Sequence, residues 1–86
     1  MSYRVEVHRR VVRKLERLPG SDVARIQRQI DALELDPRPP GVKRLAGGSS
    51  WRLRIGEYRL FYLIFDRQQL VIVEQLERRT ITTYVL

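Results

Sequence analysis

The stretch WRLRIGEYRLFY, residues Trp51–Tyr62, consists of two alternating runs separated by Gly56-Glu57. Apolar and polar residues that alternate with a period of two are typical of a half-buried β-strand, and a two-residue break that contains glycine is typical of a hairpin turn. The stretch therefore predicts a β-hairpin with one apolar face. Across this face Ile55 pairs with Tyr58, Leu53 with Leu60 and Trp51 with Tyr62.

Arginines occupy the opposite face of the predicted hairpin. Arg54 lies directly across from Arg59, and Arg52 lies one step along the strand beside Phe61. Like charges directly across a strand pair destabilise it by about 0.2–1 kcal/mol. Selection for stability alone would separate these charges, so the cluster indicates a binding site for an anion such as a phosphodiester.

The next apolar run predicts a second hairpin that extends the arginine face. Unbroken alternation places Leu76 opposite Arg59 and points Arg78 to the side of Arg59. The same alternation brings Tyr84 to this side. The candidate site therefore consists of Arg52, Arg54, Arg59, Arg78 and Tyr84.

The residues of the candidate site could instead have purely structural roles. The arginines could lie free in solvent, or they could pair with Glu74 and Glu77, of which Glu74 falls on the arginine face in this register. Tyr84 could simply anchor the last strand. Trp51 belongs to the core by its place in the alternation, and a base-stacking role is the alternative.

Two helices are predicted before the hairpins. A strand over Tyr3–His8 precedes them, Pro19-Gly20 ends the first helix, and Ser21 can cap the second, which ends near Asp36-Pro37. Their apolar stripes are Val11 (or Val12), Leu15 and Leu18 in the first helix, and Val23, Ile26, Ile30 and Leu33 in the second.

The predicted fold class is α+β, in a single domain of residues 1–86. After a loop over residues 36–50, strands over Trp51–Ile55, Tyr58–Phe65, Leu70–Glu77 and Thr80–Val85 complete the order β-α-α-β-β-β-β. Two amphipathic helices cannot bury their stripes alone, so we expect the helical hairpin to pack on one face of a mostly antiparallel, twisted sheet.

The composition is strongly basic. There are 17 Lys+Arg against 10 Asp+Glu, a formal net charge of +7 in 86 residues, and the only lysines are Lys14 and Lys43. A basic surface keeps a protein soluble, but an excess of this size favours a polyanionic partner, nucleic acid before an acidic protein. The preference for arginine favours phosphate, because a planar guanidinium can bind two oxygens at once.

Several kinds of site are disfavoured. The chain has no cysteine, which excludes disulfides and thiolate metal sites, and its single histidine, His8, does not suffice for a zinc site. We expect no metal and no cofactor. The longest apolar run, Leu60–Phe65, is far shorter than the roughly 20 residues of a membrane helix, and the N-terminal residues contain no apolar signal core. We therefore expect a cytoplasmic protein without membrane contact.

Three segments resemble the RelE/ParE superfamily of toxin–antitoxin toxins: VKRLAGG (42–48), WRLRIGEYRLFYLIFD (51–66) and ERRTITTY (77–84). With the predicted element order, the resemblance covers nearly the whole chain. RelE-like members are ribosome-dependent mRNA endonucleases, whereas ParE-like members share the fold and poison DNA gyrase. The full basic set, which ParE-like members generally lack, favours the RelE-like branch.

The resemblance implies a role for each member of the candidate site. The two basic positions of the family's second strand match Arg52 and Arg54, and the arginine of its G-x-Y-R motif matches Arg59. The arginine after its fourth strand matches Arg78, and the tyrosine six residues further on matches Tyr84.

By this resemblance we expect a metal-independent endoribonuclease, in which the RNA 2′-hydroxyl attacks phosphorus and the 5′-oxygen leaves. Arg59 and Arg78 would stabilise the phosphorane and the leaving oxygen, while Arg52 and Arg54 would hold flanking phosphates and contact ribosomal RNA. Tyr84 would stack on a base or help to move a proton. No carboxylate or histidine is an obvious base, and arginine, with a pKa above about 12, is a poor one.

The chain departs from the family pattern at three positions. Better-studied relatives often carry lysine where this chain has Arg52 and Arg54, and a basic residue where it has Glu77.

Further basic residues and partners follow from the same resemblance. Lys43 and Arg44 precede the site and are expected to contact phosphates, and Arg9 and Arg13 could grip ribosomal RNA or simply form a solvated helix face. The expected partners are a cognate antitoxin, the ribosome and mRNA. We expect a monomer that forms a hetero-oligomer with its antitoxin. The alternatives are a gyrase inhibitor and a non-catalytic nucleic-acid-binding module.

Overall fold

The computed structural model describes residues 2–79, which contain five strands and two helices. The elements are β1 (Arg4–Val7), α1 (Arg9–Leu15), α2 (Gly20–Ala32), β2 (Lys43–Arg44), β3 (Ser50–Ile55), β4 (Tyr58–Phe65) and β5 (Leu70–Arg78). The predicted α+β class is confirmed. Strand β2 lies where the sequence predicts only a loop, and the predicted last strand over Thr80–Val85, with Tyr84, lies outside the described residues.

The strands form one mixed sheet in the order β1-β5-β4-β3-β2. Strand β1 runs parallel to β5, and the other neighbours are antiparallel. Because β1 is short, it pairs with β5 only from Leu70 to Val73. Beyond Val73, no strand among residues 2–79 covers the outer edge of β5.

Both helices pack on the same face of the sheet. Val11 of α1 and Ile26 and Ile30 of α2 belong to one buried cluster with alternate residues of β3, β4 and β5. Burying a large apolar side chain contributes about 1.5–3 kcal/mol, so this face sets the orientation of all three strands. The buried strand residues are Leu53, Ile55, Tyr58, Leu60, Tyr62, Ile64, Val71, Val73 and Leu76.

The helix ends differ in how their backbone groups are satisfied. At the start of α1, Nδ1 of His8 accepts a hydrogen bond from the backbone N–H of Arg10 at 3.1 Å and caps the helix. The predicted Ser21 cap of α2 is wrong, because the helix begins earlier. The carbonyl of Pro19 accepts from the N–H groups of Asp22 and Val23, so Pro19 is the N-cap and Ser21 lies inside the first turn.

Two tyrosines connect the buried sheet face to the helical layer. The Tyr58 hydroxyl donates to the Asp22 carboxylate at 2.8 Å, and the Tyr62 hydroxyl donates to the Pro37 carbonyl at 2.8 Å. The bond to Asp22 raises the pKa of Tyr58, and burial raises the pKa of Tyr62 well above its usual range. Both phenols are therefore protonated donors at neutral pH, which these two bonds require.

Neither of the two helices within residues 2–79 could span a membrane.

A polar network joins the N-terminal segment, the loop after α2 and the β4–β5 turn. Arg38 donates to both carboxylate oxygens of Asp66, at 3.0 and 2.7 Å, and the Tyr3 hydroxyl donates to the same carboxylate at 2.6 Å. The bonds from Arg38 and Tyr3 lower the pKa of Asp66 from 3.8 to about 2. The network therefore depends on the ionised carboxylate.

Replacing Asp66 by asparagine tests this dependence. A carboxylate whose pKa is depressed in the folded chain stabilises the fold above its unfolded pKa, and the contribution is lost as the pH falls from about 4 to about 2. Asp66→Asn should therefore lower the melting temperature at pH 7, modestly because the side chain is 57% exposed, and the difference should close near pH 2. Thermal unfolding followed by circular dichroism measures this. A deficit equally large at pH 2 would contradict the assignment.

The β3–β4 turn, which sets the register of the arginine face, requires glycine. Gly56 has φ = +58°, a conformation that costs other residues about 1–2 kcal/mol. We expect Gly56→Ala to lower the free energy of unfolding by about 1 kcal/mol in a urea titration. Gly56→Asn should lose less, because asparagine enters this region more readily. Equal losses for the two variants would show that the backbone conformation is not the cause.

Candidate functional site

The β3–β4 hairpin has the register that the sequence predicts. Arg54 pairs with Arg59, and Arg52 pairs with Phe61. These side chains alternate with the buried residues of the same strands, so they lie on the face that does not carry the helices. Arg54 is exposed, while Arg52 and Arg59 are half-buried.

Strand β2 separates the two basic residues that the sequence places together. Lys43 pairs with Arg52 and joins the arginine face. Arg44 pairs with Trp51 and lies on the opposite side, where its guanidinium carbon is 6.0 Å from the centroid of the indole ring and its Nε donates to the Gly48 carbonyl at 3.1 Å. Arg44 therefore does not share the site of the other arginines.

Trp51 packs against the hydrophobic core, as predicted, although it is only partly buried. The Arg38 guanidinium lies over its ring at 4.9 Å from the centroid, which is within cation–π range. Trp51 is thus on the helix side of the sheet and is not a stacking platform on the arginine face.

The predicted register of the second hairpin is wrong beyond its first half. Phe65 pairs with Leu70 as expected, but a β-bulge interrupts the β4–β5 ladder, because Tyr62 pairs with Val73 while Phe61 pairs with Gln75. Glu74 is the extra residue. An extra residue reverses the alternation of everything that follows it in the strand.

This reversal moves Arg78 away from the predicted site. Arg59 now lies opposite Glu77 and not Leu76, and Arg78 pairs with Tyr58, whose side chain is on the helix face. The Arg78 guanidinium is 69% exposed and donates to the Glu57 carboxylate at 3.3 Å. The residue that reaches the arginine face is its neighbour Arg79, which the sequence interpretation does not select.

The arginine face contains a groove of about 270 Å³. Within residues 2–79, the side chains of Lys43, Arg52, Arg59 and Arg79 make no hydrogen bond or ion pair, and Arg54 makes only a long bond, at 3.4 Å, to the Gly56 carbonyl. The groove is thus lined by cations whose charge is not neutralised in this part of the chain. Its lining residues are Gly41, Lys43, Arg52, Arg54, Arg59 and Arg79.

Neither Glu74 nor Glu77 forms an ion pair with these arginines in the described part of the chain. The ion-pair explanation of the cluster is therefore not supported there. Glu77 nevertheless shares the face with Arg59, its cross-strand partner. Tyr84 is beyond the described residues, so its place relative to the groove stays a prediction.

A second basic groove lies along α1, away from the arginine face. It has a volume of about 290 Å³ and shares no lining residue with the first groove. Val11 on the same helix is buried, so the basic residues occupy the outer side of α1. Its lining residues are His8, Arg9, Arg10, Arg13, Lys14 and Arg17, which include the predicted RNA contacts Arg9 and Arg13.

Comparison with known proteins identifies the family. The family model of the ParE toxin of type II toxin–antitoxin systems matches residues 5–81. The chain is 32% identical, over 83 residues and 92% of both chains, to a putative toxin RelE1 of Methanocaldococcus jannaschii. The protein belongs to the RelE/ParE superfamily of type II toxins. This membership agrees with the element order and the G-E-Y-R motif at the β3–β4 turn.

Solved structures of RelE toxins share the fold of this RelE/ParE protein. The RelE–RelB complex from Pyrococcus horikoshii has a TM-score of 0.86 and 31% identity, over 95% of this chain and 100% of the other. The RelBE2 toxin–antitoxin complex from Mycobacterium tuberculosis has a TM-score of 0.80 and 26% identity, over 92% of this chain and 100% of the other. The similarity therefore spans the sheet and both helices.

Repulsion between the clustered arginines is expected to lower the stability of the folded protein. Removing one cation from the Arg54–Arg59 pair should relieve repulsion, so we expect Arg54→Gln to raise the free energy of unfolding by about 0.2–1 kcal/mol in low salt. The gain should shrink in high salt because exposed charges are screened. Urea titrations at two ionic strengths measure both effects. Arg67→Gln, an equal charge change in the β4–β5 turn, is the control, and an equal gain there would contradict local repulsion.

Proposed function

We propose that this RelE/ParE protein is a RelE-like toxin that cleaves mRNA. One observation carries the proposal: five basic side chains, none of which forms an ion pair within residues 2–79, converge on a groove at the helix-free face of the sheet. An RNA phosphodiester supplies the missing negative charge. Arginine suits this role because its guanidinium can bind two phosphate oxygens at once.

Cleavage would proceed by attack of the RNA 2′-hydroxyl on the neighbouring phosphorus, with loss of the 5′-oxygen and without a metal ion. Arg59 and Arg79 both line the groove and would stabilise negative charge on the phosphorane and the leaving oxygen. Lys43, Arg52 and Arg54 on the neighbouring strands would bind the flanking phosphates. Such an enzyme acts in the cytoplasm, where mRNA and ribosomes are.

Geometry and family resemblance select different arginines at the end of β5 for the catalytic role. The family pattern selects Arg78, whereas the bulge in β5 favours Arg79, because Arg78 is bound to Glu57 on the other side of the strand. We therefore assign the role to Arg79. Tyr84 keeps its proposed role of stacking on a base, on the strength of the family pattern alone.

Two surfaces would serve the partners of the toxin. The basic groove of α1, with Arg9 and Arg13, is proposed to contact ribosomal RNA while the arginine face holds the mRNA. A cognate antitoxin, of the kind present in the complexes of the related toxins, would neutralise the arginine face and cover the half-exposed Phe61, Leu63 and Phe65 beside it. The toxin alone would be a monomer, and with the antitoxin a hetero-oligomer.

Alanine variants of three arginines test the proposal. Removing one donor to a developing negative charge typically costs about 10²–10³ in rate, so Arg59→Ala and Arg79→Ala should abolish growth arrest and lower cleavage of mRNA on ribosomes by this factor. Arg78→Ala should cost less than about tenfold if the geometry assigns the role correctly. Mapping of mRNA 5′ ends and single-turnover cleavage provide the measurements, and Arg67→Ala is the charge-matched control. Full loss in Arg78→Ala with retained activity in Arg79→Ala would reverse the assignment.

Inhibition of DNA gyrase is the second candidate, because the matching family model is that of the ParE toxin. It predicts that Arg59→Ala and Arg79→Ala stay toxic and that purified toxin blocks supercoiling. A non-catalytic nucleic-acid-binding module predicts binding of RNA without cleavage or growth arrest. Supercoiling and cleavage assays on the same preparation therefore separate the three functions.

A further inference from the structure

We propose that the carboxylate of Glu77 is the general base of the cleavage reaction and takes the proton from the attacking 2′-hydroxyl. This inference rests on the proposed function. It supplies the group that the arginines cannot, because a guanidinium has no free lone pair with which to take a proton, whereas a carboxylate oxygen can act as a general base.

The bulge in β5 places Glu77 on the arginine face. With regular alternation, Leu76 would lie opposite Arg59 and Glu77 would point to the helix face. The extra residue Glu74 reverses this order, so that Leu76 is buried and Glu77 becomes the cross-strand partner of Arg59. Side chains directly opposite on one face have Cβ atoms about 4.5–5.5 Å apart. Although Glu77 does not itself line the groove, its position opposite Arg59 would bring a phosphate held by Arg59 close to the Glu77 carboxylate.

The contacts of Glu77 leave it able to accept a proton. Its Oε2 accepts a hydrogen bond from Nε2 of Gln75 at 3.0 Å, and within residues 2–79 its other oxygen has no partner. No arginine or lysine of that part of the chain lies within ion-pair distance. The neutral amide orients the carboxylate without claiming both oxygens, as a bidentate guanidinium would.

Basic residues lie near Glu77 on each neighbouring element, although none is within ion-pair distance in the described residues. Arg59 faces it from β4, and Arg79 follows on the same side of β5. On the outer edge of β5, which β1 does not cover here, Glu77 lines a groove of about 300 Å³ with Arg10 and Lys14 of α1. These cations allow a phosphodiester to approach a carboxylate that would otherwise repel it.

The proposed step balances without a further reactant. The 2′-oxygen forms a bond to phosphorus as its proton passes to Glu77, and the bond from phosphorus to the 5′-oxygen breaks. The products are a 2′,3′-cyclic phosphate and a 5′-hydroxyl, whose proton comes from water. Glu77 then releases its proton to solvent, and no electron is transferred.

Glu77→Gln is the decisive variant, because it removes the proton acceptor and keeps an oxygen for Gln75. A general base contributes about 10²–10⁴-fold, so single-turnover cleavage of a defined mRNA on ribosomes should slow by at least about 100-fold. Binding of the same mRNA with a 2′-O-methyl group at the cleavage site should be as tight as in the wild type or tighter. Glu74→Gln, the same charge change at the bulge, should stay within about twofold in rate.

A chemical rescue provides the second test. Sodium formate, compared with equal sodium chloride, should accelerate Glu77→Ala and leave Glu74→Ala unchanged, because formate can enter the space of the missing carboxylate. Wild-type cleavage rates in Glu77→Gln or Glu77→Ala would overturn the proposal. If Arg59→Ala is inactive in that experiment, only the role of Glu77 fails. If Arg59→Ala is also fully active, the assignment of cleavage to the arginine groove fails with it, and if the wild-type protein does not cleave mRNA on ribosomes at all, the proposed function fails.

Discussion

Burial of one face of the β3–β4–β5 meander under α1 and α2 decides where every other side chain of these strands can lie. That face has to be apolar to stabilise so small a domain, and every strand must present its apolar residues there. Because side chains alternate along a strand, all intervening residues are directed to the other face. The arginines of β3 and β4 are therefore held side by side by the packing of residues on the reverse of the sheet.

The bulge at Glu74 changes the chemistry of the uncovered face by a purely local means. One extra residue lets Leu76 stay in the core while Glu77 and Arg79 replace Leu76 and Arg78 on the arginine face. A hydrophobic requirement on one side of the strand thus decides which charges appear on the other. Bulges are frequent next to functional sites, where they re-aim side chains in this way.

The surface that results is unfavourable for the isolated toxin and favourable for a polyanion. The directly opposed Arg54 and Arg59 repel each other, and the described chain supplies no carboxylate that pairs with them. Glu77, which lies opposite Arg59, accepts a hydrogen bond from Gln75 instead. If the proposed function is correct, RNA and an acidic antitoxin segment would both relieve this repulsion and would compete for one face.

The β3–β4 hairpin, its register and its arginine face follow from the amino-acid sequence alone, because alternation and a glycine turn act between residues adjacent in the chain. The sequence also contains an indication of the bulge. The apolar residues Val73 and Leu76 are three positions apart, whereas residues on one face of a regular strand are separated by an even number of positions. The choice of Arg79 over Arg78, and the separation of Lys43 from Arg44 by β2, were decided only by tertiary structure. The first depends on the pairing of β5 with β4 and on burial of Leu76, and the second depends on the pairing of β2 with β3; no local pattern of charged residues shows either.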